Sequence, residues 1–282
     1  MRWTPGNRGN IEDARGRSGG GGGLGMPLGI GGVVILLVGS WLTGVNLFDV
    51  VGGGGPTGGA SDVVADRPVT STPDEERQVD FVDAVNGDIQ QTWTRLLPNY
   101  QPTKAVLFRD SIQSACGLSS SATGPFYCPG DRKMYLDLGF FADLHQKLGA
   151  PGDFAQAYVL AHEVGHHVQN LNGALDRDTF SGNANERSVR VELQADCYAG
   201  VWGHEASKPG RSAAGRVELE PGDAEEGLNA AAAIGDDRLQ RRQGRVSPES
   251  FTHGTSAQRM SWFKRGMDSG DPRVCDTFAN TQ

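Results

Sequence analysis

The sequence predicts an α+β fold in which helices predominate. Long segments repeat apolar residues with the spacing of an amphipathic helix. Only two short runs, 104–109 and 133–138, have the composition or the alternation of strands. The folded domain is expected to span 74–282, because the chain before it is either rich in glycine or continuously apolar.

Proline, glycine and capping residues set the ends of the predicted helices. Pro98 ends the first helix, Pro151 follows the second and Gly173 follows the third. Thr255 or Ser256 caps the last helix. The predicted helices are 75–97, 140–148, 153–171, 186–206, 220–242 and 255–267. The predicted loops are 112–131, which is rich in Ser and Gly, 173–185 and 247–254.

The N-terminal part predicts a single transmembrane helix. Residues 18–48 contain no charged side chain, and 28–48 has about the length needed to cross a bilayer. Four Arg precede this segment and Asp residues follow it, so the N-terminus is expected in the cytoplasm and the folded domain outside. Residues 1–27 are expected to be a disordered cytoplasmic tail, and 49–73 a flexible linker. A cleaved signal peptide is the competing interpretation.

The charge of the chain argues against nucleic-acid binding. Of its 26 Lys and Arg and 34 Asp and Glu, four basic and two acidic residues precede the apolar segment. The remainder carries a net charge of −10, whereas binding to the phosphate backbone requires a basic surface.

All four cysteines follow the apolar segment, on the predicted exported side, where disulfides persist. Four cysteines allow three pairings, and the sequence alone does not choose among them. Cys116 and Cys128 bracket a short loop, so their pairing is the local solution. It would leave Cys197 to pair with Cys275 and tie the C-terminal tail to a helix.

The stretch from Ala161 to His167 contains the pattern His-Glu-x-x-His. Positions i and i+4 share one face of a helix, so His162 and His166 can bind one metal ion. Glu163 lies beside that face and can act as the general base on an attacking water. The pattern therefore predicts a catalytic zinc site on the helix 153–171.

A catalytic zinc ion requires a third protein ligand and one open position. The predicted helix 186–206 offers Glu192 and Asp196, which also share one face. The small Ala195 between them permits a close approach of the two helices. One carboxylate can bind the metal while the other accepts the N–H of a ligating imidazole. The spacing does not decide which carboxylate does which.

Together these stretches resemble the bacterial neutral zinc metallopeptidase family (YpfJ-like), within the gluzincin type of metallopeptidase. The matching stretches are NIED (10–13), GPFYCPGD (124–131), YLDLGFF (135–141), GDFAQAYVLAHEVGHHVQN (152–170), ELQADCYAGVW (192–202), SFTHGTSAQR (250–259) and CDTF (275–278). The resemblance implies a zincin-like catalytic domain with one zinc ion. It implies that His162, His166 and Glu192 are the zinc ligands, Glu163 the general base and Asp196 a hydrogen-bond partner of a ligand.

The tetrahedral intermediate of peptide hydrolysis also needs a donor opposite the general base. His253 is the leading candidate for this donor, and Tyr198 is the next. The alternative role for His253 is to cap a helix or to pack. His167 lies 100° around the helix from His166 and is expected to pack instead of binding metal. The strand Met134–Leu138 could be an edge to which an extended peptide adds. Two other histidines, His145 and His204, are expected at the surface. The tryptophans Trp93, Trp202 and Trp262 are expected in the core.

The predicted function is a membrane-anchored, zinc-dependent peptidase that acts on a peptide or protein substrate. One alternative is a zinc-stabilised, non-catalytic envelope scaffold or binding module, which would have no need of Glu163. Another is a hydrolase of a non-peptide amide, such as a cell-wall crosslink, which would use the same chemistry.

Overall fold

The computed structural model describes residues 1–17, 69–175, 182–211, 217–242 and 244–279. The strands are β1 (Ile11–Asp13), β2 (Ala105–Phe108), β3 (Ser111–Ser114), β4 (Gly117–Ser120), β5 (Phe126–Cys128) and β6 (Lys133–Asp137). The helices are α1 (Pro73–Leu96), α2 (Gly139–Gln146), α3 (Asp153–Leu171), α4 (Ala184–Ala206), α5 (Asp223–Ala233), α6 (Asp236–Arg242) and α7 (Ser256–Ser269). Helices predominate in this part of the chain, which confirms the predicted α+β class.

One four-stranded sheet with the order β1-β2-β6-β5 lies against the helices. Strands β1, β2 and β6 are parallel, and β5 is antiparallel to β6. Alternate residues of β2 point to opposite faces: Leu107 joins the main core with the helices, whereas Val106 and Phe108 join a smaller core beneath the β3–β4 hairpin. The sheet is therefore covered by helices on one face and by the hairpin on the other.

The prediction of a loop over 112–131 was wrong. This stretch holds most of the β3–β4 hairpin and the whole of β5. Its Ser and Gly residues mask the strand pattern, but Ile112, Phe126 and Cys128 are buried in the smaller core. The Cys116–Cys128 disulfide joins the hairpin turn to β5. The second disulfide joins Cys197 in α4 to Cys275.

The predicted helix 220–242 is broken into α5 and α6. The break falls at Ile234 and Gly235, where a Cβ on Gly235 would overlap the backbone of Ser256 at the start of α7. Asp236 begins α6, and its backbone N–H donates to the carbonyl of Gly254 at 2.9 Å. The glycine thus allows α7 to approach and turns the chain into a new helix.

The prediction that 1–27 is disordered was wrong for 1–17. These residues contribute β1, and Ile11 and Ala14 are buried. Their arginines pair with acidic side chains: Arg8 with Glu76 and Asp80 of α1, and Arg15 with Asp13, Glu75 and Glu76. The polar composition of 1–17 therefore concealed an edge strand. The charged residues around that strand form ion pairs with acidic residues of α1.

The predicted anchor 28–48 and most of the linker 49–73 lie outside the described residues. In the ranges that the structure describes, no helix has the length and apolar character needed to cross a membrane.

Helices α4 and α7 cross in close contact at Gly200. A Cβ at this position would overlap the carbonyl oxygen of Phe263 in α7. The crossing matters for the site because α4 carries Glu192 and α7 carries Arg259. Only a residue without a side chain allows the two backbones to approach this closely.

We predict that Gly200→Ala lowers the free energy of unfolding by roughly 2 kcal/mol or more, because an overpacked core must shift its backbones apart. Ser261→Ala, at an exposed position of α7, is the matched control and should change stability by less than about 0.5 kcal/mol. Urea unfolding of both variants, with the disulfides intact, provides the measurement. Equal stability of the two variants would contradict the close crossing.

Candidate metal centre

Helices α3 and α4 meet where the small residues of both allow it. A Cβ on Gly165 would lie 2.9 Å from the carbonyl oxygen of Ala195 and 3.0 Å from its Cα. Gly165 lies inside the His-Glu-x-x-His turn, and Ala195 lies between Glu192 and Asp196. The contact therefore brings the two histidines of α3 opposite the two carboxylates of α4.

Three side chains converge at this contact. Nε2 of His162 lies 3.2 Å from a carboxylate oxygen of Glu192, and Nε2 of His166 lies 3.5 Å from the other. One ligand atom from each of the three residues lies within 4.8 Å of the other two. Two imidazole nitrogens and one carboxylate oxygen are the donors of a catalytic zinc site.

The hydrogen bonds of the two histidines orient both rings for metal binding. Nδ1 of His162 donates to Asp196 at 2.8 Å, since a carboxylate only accepts. Nδ1 of His166 donates at 2.8 Å to Oε1 of Gln169, whose amide group donates to the carbonyl of Val191. Both Nε2 lone pairs are thereby directed at the position between the rings and Glu192. The residues present fit a zinc ion.

Asp196 is fully buried and accepts hydrogen bonds from several side chains. Its carboxylate accepts from Tyr158 at 2.5 Å and from two nitrogens of Arg259, each at 2.8 Å. Arg259 comes from α7 and is itself buried. The cluster of Asp196, Arg259 and Tyr158 therefore locks three helices together behind His162.

The electrostatics of the cluster favour the metal-binding protonation states of His166 and Glu192, but not that of His162. Burial lowers the pKa of His166 to about 4. Burial opposes ionisation of Glu192, but the charges of His166 and His162 hold its pKa well below the usual range. Burial would also lower the pKa of His162, yet its hydrogen bond to Asp196 raises that pKa to about 9. A metal ion at Nε2 of His162 must therefore compete with a proton.

Glu163 lies next to the convergence point and is 8% exposed. Burial raises the pKa of its carboxyl group to about 8, although the charge of His162 works in the opposite direction. The backbone of Tyr127 in β5 also opposes this rise in the pKa of Glu163. A group with a pKa near neutrality can both take up and release a proton.

His253 lies in the loop before α7 and is 4% exposed. Its Nδ1 donates to Asp236 at 3.0 Å, and the same carboxylate accepts the backbone N–H groups of Thr252, His253 and Gly254. Its Nε2 is buried and has no hydrogen-bond partner in the part of the chain that the structure describes. The charge of His253 acts on Glu192, which places the ring beside the cluster.

The sequence of the whole chain matches known relatives. A family profile described as putative neutral zinc metallopeptidase matches residues 1–278. The chain belongs to this family. It is 46% identical to the uncharacterized protein YpfJ of Escherichia coli (strain K12), over an alignment of 305 residues that covers all of both chains. It is also 46% identical over 202 residues to the uncharacterized protein Rv2575 of Mycobacterium tuberculosis (strain ATCC 25618 / H37Rv), covering 70% of this chain and 69% of that one. No solved structure matches the chain significantly.

The other histidines of this metallopeptidase-family chain lie apart from the metal ligands. His167 is buried, bonded through Nδ1 to the hydroxyl of Tyr127 and through Nε2 to the carbonyl of Gln101. His145 is exposed on α2. His204 is half-buried and bonds the carbonyl of Met267.

The aromatic candidates lie in or against the core. The ring of Tyr198 packs edge-on against buried Trp93, with the ring centroids 5.3 Å apart. Trp202 is also buried, and its indole donates to Asp88. Trp262 is only half-buried and stacks with Arg265.

The predicted edge strand was wrong. Strand β6 lies between β2 and β5, so its backbone pairs on both sides. The edge beside the site is β5, which contains Tyr127 and packs against α3. Chain order does not reveal this, because the Ser- and Gly-rich composition of 112–131 predicts a loop where β5 lies.

Four residues that orient the cluster were not predicted: Tyr158, Gln169, Asp236 and Arg259. The pair Gly235-Asp236 is a helix-break and start signal that could have indicated the role of Asp236. Tyr158 lies four residues before His162, and Gln169 three residues after His166, so helix geometry places them next to these rings. Nothing in the sequence connects Arg259 with Asp196, because they lie 63 residues apart.

We predict that Arg259→Gln lowers the free energy of unfolding by roughly 3 kcal/mol or more, since it leaves the buried charge of Asp196 uncompensated. Tyr158→Phe removes only one neutral donor from the same carboxylate and should cost about 1 kcal/mol. Chemical denaturation of the two variants measures the difference. A smaller loss for Arg259→Gln than for Tyr158→Phe would contradict the assigned role of the arginine.

Proposed function

We propose that the protein is a zinc-dependent peptidase that hydrolyses peptide bonds with Glu163 as general base. The observation that carries this proposal is the convergence of His162, His166 and Glu192 beside a buried Glu163. Membership of the metallopeptidase family supports the same chemistry. A purely structural zinc site would have no use for Glu163.

His162, His166 and Glu192 would hold the ion. When bound, zinc supplies a Lewis acid that lowers the pKa of a water molecule and polarises the substrate carbonyl. Glu163 takes a proton from the attacking water and delivers it to the leaving amine. Burial favours both steps because it raises the pKa of the Glu163 carboxyl group to about 8. A group whose pKa lies near the pH of the solution can accept a proton and release it again. Asp196 keeps the ring of His162 in the required tautomer.

His253 would stabilise the negative charge that develops on the substrate oxygen. In its protonated form the ring donates from Nε2, the buried atom that has no partner among the described residues. Asp236 holds the ring through Nδ1 and holds the loop through three backbone N–H groups. This prearrangement avoids a cost of reorganisation during the reaction.

The substrate would be an extended peptide that adds to the edge of β5. Such an edge offers backbone donors and acceptors to a new strand. Tyr127 supports this choice because its backbone influences the pKa of Glu163, so the edge of β5 lies close to the general base. A non-peptide amide hydrolysed by the same groups is the second candidate, and substrate profiling separates the two.

The compartment of action would be outside the cytoplasm. Two disulfides, Cys116–Cys128 and Cys197–Cys275, support this proposal. Such bonds form and persist in oxidising compartments and are rare in the cytosol.

We predict that the full chain binds one zinc ion and that His162→Ala with His166→Ala abolishes binding, because two of three ligands are lost. Glu163→Gln should retain zinc yet reduce cleavage of a peptide library by at least about 10²-fold, since the general base is removed. Metal analysis and quenched-fluorescence peptide assays measure both effects. Zinc retained by the double variant would refute the ligand set, and full activity of Glu163→Gln would refute the base.

We predict that His253→Ala reduces kcat by about 10²- to 10³-fold with little change in bound zinc, because one donor to the oxyanion is lost. The matched control is His145→Ala on the exposed face of α2, which should leave kcat unchanged. Asp236→Asn should cause a partial loss, since it releases the ring without removing it. Equal kcat values for the His253 and His145 variants would exclude His253 from the reaction.

A further inference from the structure

Residues 1–17 fill a groove formed by the edge of β2 and one side of α1. Strand β1 extends the sheet in parallel, with Ile11, Glu12 and Asp13 aligned to Ala105, Val106 and Leu107. Neighbouring strands in a sheet lie about 4.8 Å apart.

The groove recognises the backbone of this segment and not only its charges. The two carboxylate oxygens of buried Asp83 accept the backbone N–H groups of Arg8 and Asn10, at 2.8 and 2.9 Å. The side chain of Asn86 donates to the carbonyl of Asn10 at 2.8 Å. A Cβ on Gly87 would lie 2.7 Å from the amide nitrogen of Asn10, so the glycine makes room for this side chain.

Charged contacts complete the groove. The side chain of Arg15 is only 1% exposed and pairs with Glu75 and Glu76 at the start of α1. Lys133 of β6 pairs with Glu12 at 2.7 Å. Leaving Arg15 or Asp83 buried without its partner would cost several kcal/mol, so the domain and the segment are mutually dependent.

The described chain stops at Arg17 and resumes at Val69 near the same place. Arg15, two residues before the first end, contacts Glu75 in the first turn of α1. Arg109 contacts both Glu75 and the carbonyl of Thr70, next to the second end. Both ends of the intervening segment 18–68 are therefore attached to one region of the folded domain.

We infer that residues 1–17 and the metallopeptidase domain lie on the same side of the membrane, and that 28–48 does not act as a single-pass anchor between them. A single crossing would separate β1 from β2 by the hydrocarbon core of about 30 Å. A second crossing would have to fall within 49–68. That stretch has Asp49, Asp62, Asp66 and Arg67 and lacks the roughly 20 apolar residues required.

This arrangement differs from the topology expected from the positive-inside rule, in which the N-terminus and the domain occupy opposite compartments. It goes beyond the proposed peptidase activity and does not depend on it. If the domain functions outside the cytoplasm, residues 1–17 are exported with it.

The test places a single labelling site on each part of the full chain. The native cysteines are all in disulfides, so Thr4→Cys and Gln146→Cys, both exposed, report the two parts separately. A membrane-impermeant maleimide is applied to intact cells, and permeabilised cells provide the measure of total reactivity. We expect both sites to be labelled in intact cells or both to be protected. Labelling of one and protection of the other would overturn the inference.

A crosslink tests the contact itself. Glu12→Cys with Val106→Cys joins residues that are aligned across β1 and β2, and a protease site inserted between Gly58 and Gly59 then allows the chain to be cut. The matched pair should keep the N-terminal fragment attached to the domain until a reductant is added. Both cut variants are then analysed on a denaturing gel, where non-covalent contacts are lost. Glu12→Cys with Leu118→Cys, on the exposed side of β4, should release the fragment there without a reductant. Release of the fragment from the matched pair would contradict the groove.

Discussion

The arrangement of the site depends on the ion pair and hydrogen bonds that compensate the buried carboxylate of Asp196. Its charge lies beyond the reach of water, so it must be compensated by Arg259 and by hydrogen bonds from Tyr158 and His162. These partners come from α3 and α7, whereas Asp196 itself belongs to α4. Satisfying one buried charge therefore sets the relative positions of α3, α4 and α7, and with them the direction of the His162 ring.

A second aspartate, Asp236, orients a second histidine ring in a similar way. Asp236 begins α6 and binds both the ring and the backbone of the His253 loop. In each case a buried carboxylate accepts from Nδ1 of a histidine and leaves Nε2 available for another contact. The two histidine rings are thus oriented by Asp196 and Asp236, and neither carboxylate belongs to the three converging ligand side chains. This division separates the groups that orient the site from those that would carry out the chemistry.

Backbone approach is the condition that allows these buried charges to meet. Gly165 lets α4 come close to the histidine turn, and Gly200 lets α7 come close to α4. The N-terminal segment follows a related principle, since Asp83 accepts backbone N–H groups from Arg8 and Asn10. Its polar composition disguised a strand that pairs with β2, where Ile11 is aligned with Ala105, far away in sequence. Arg8, one of the four arginines that precede the apolar segment, pairs with two acidic residues of α1.

The sequence by itself determined what depends on local geometry. The i and i+4 spacing directs His162 and His166 to one helix face wherever the helix lies, and the helix boundaries followed from proline, glycine and capping residues. The sequence could not choose between Glu192 and Asp196, which have the same spacing. The tertiary structure places Glu192 beside Nε2 of both histidines and Asp196 beside Nδ1 of His162, since α3 and α4 pack closely at Gly165 and Ala195. Strand β1 and the break before α6 likewise exist only through partners distant in the chain.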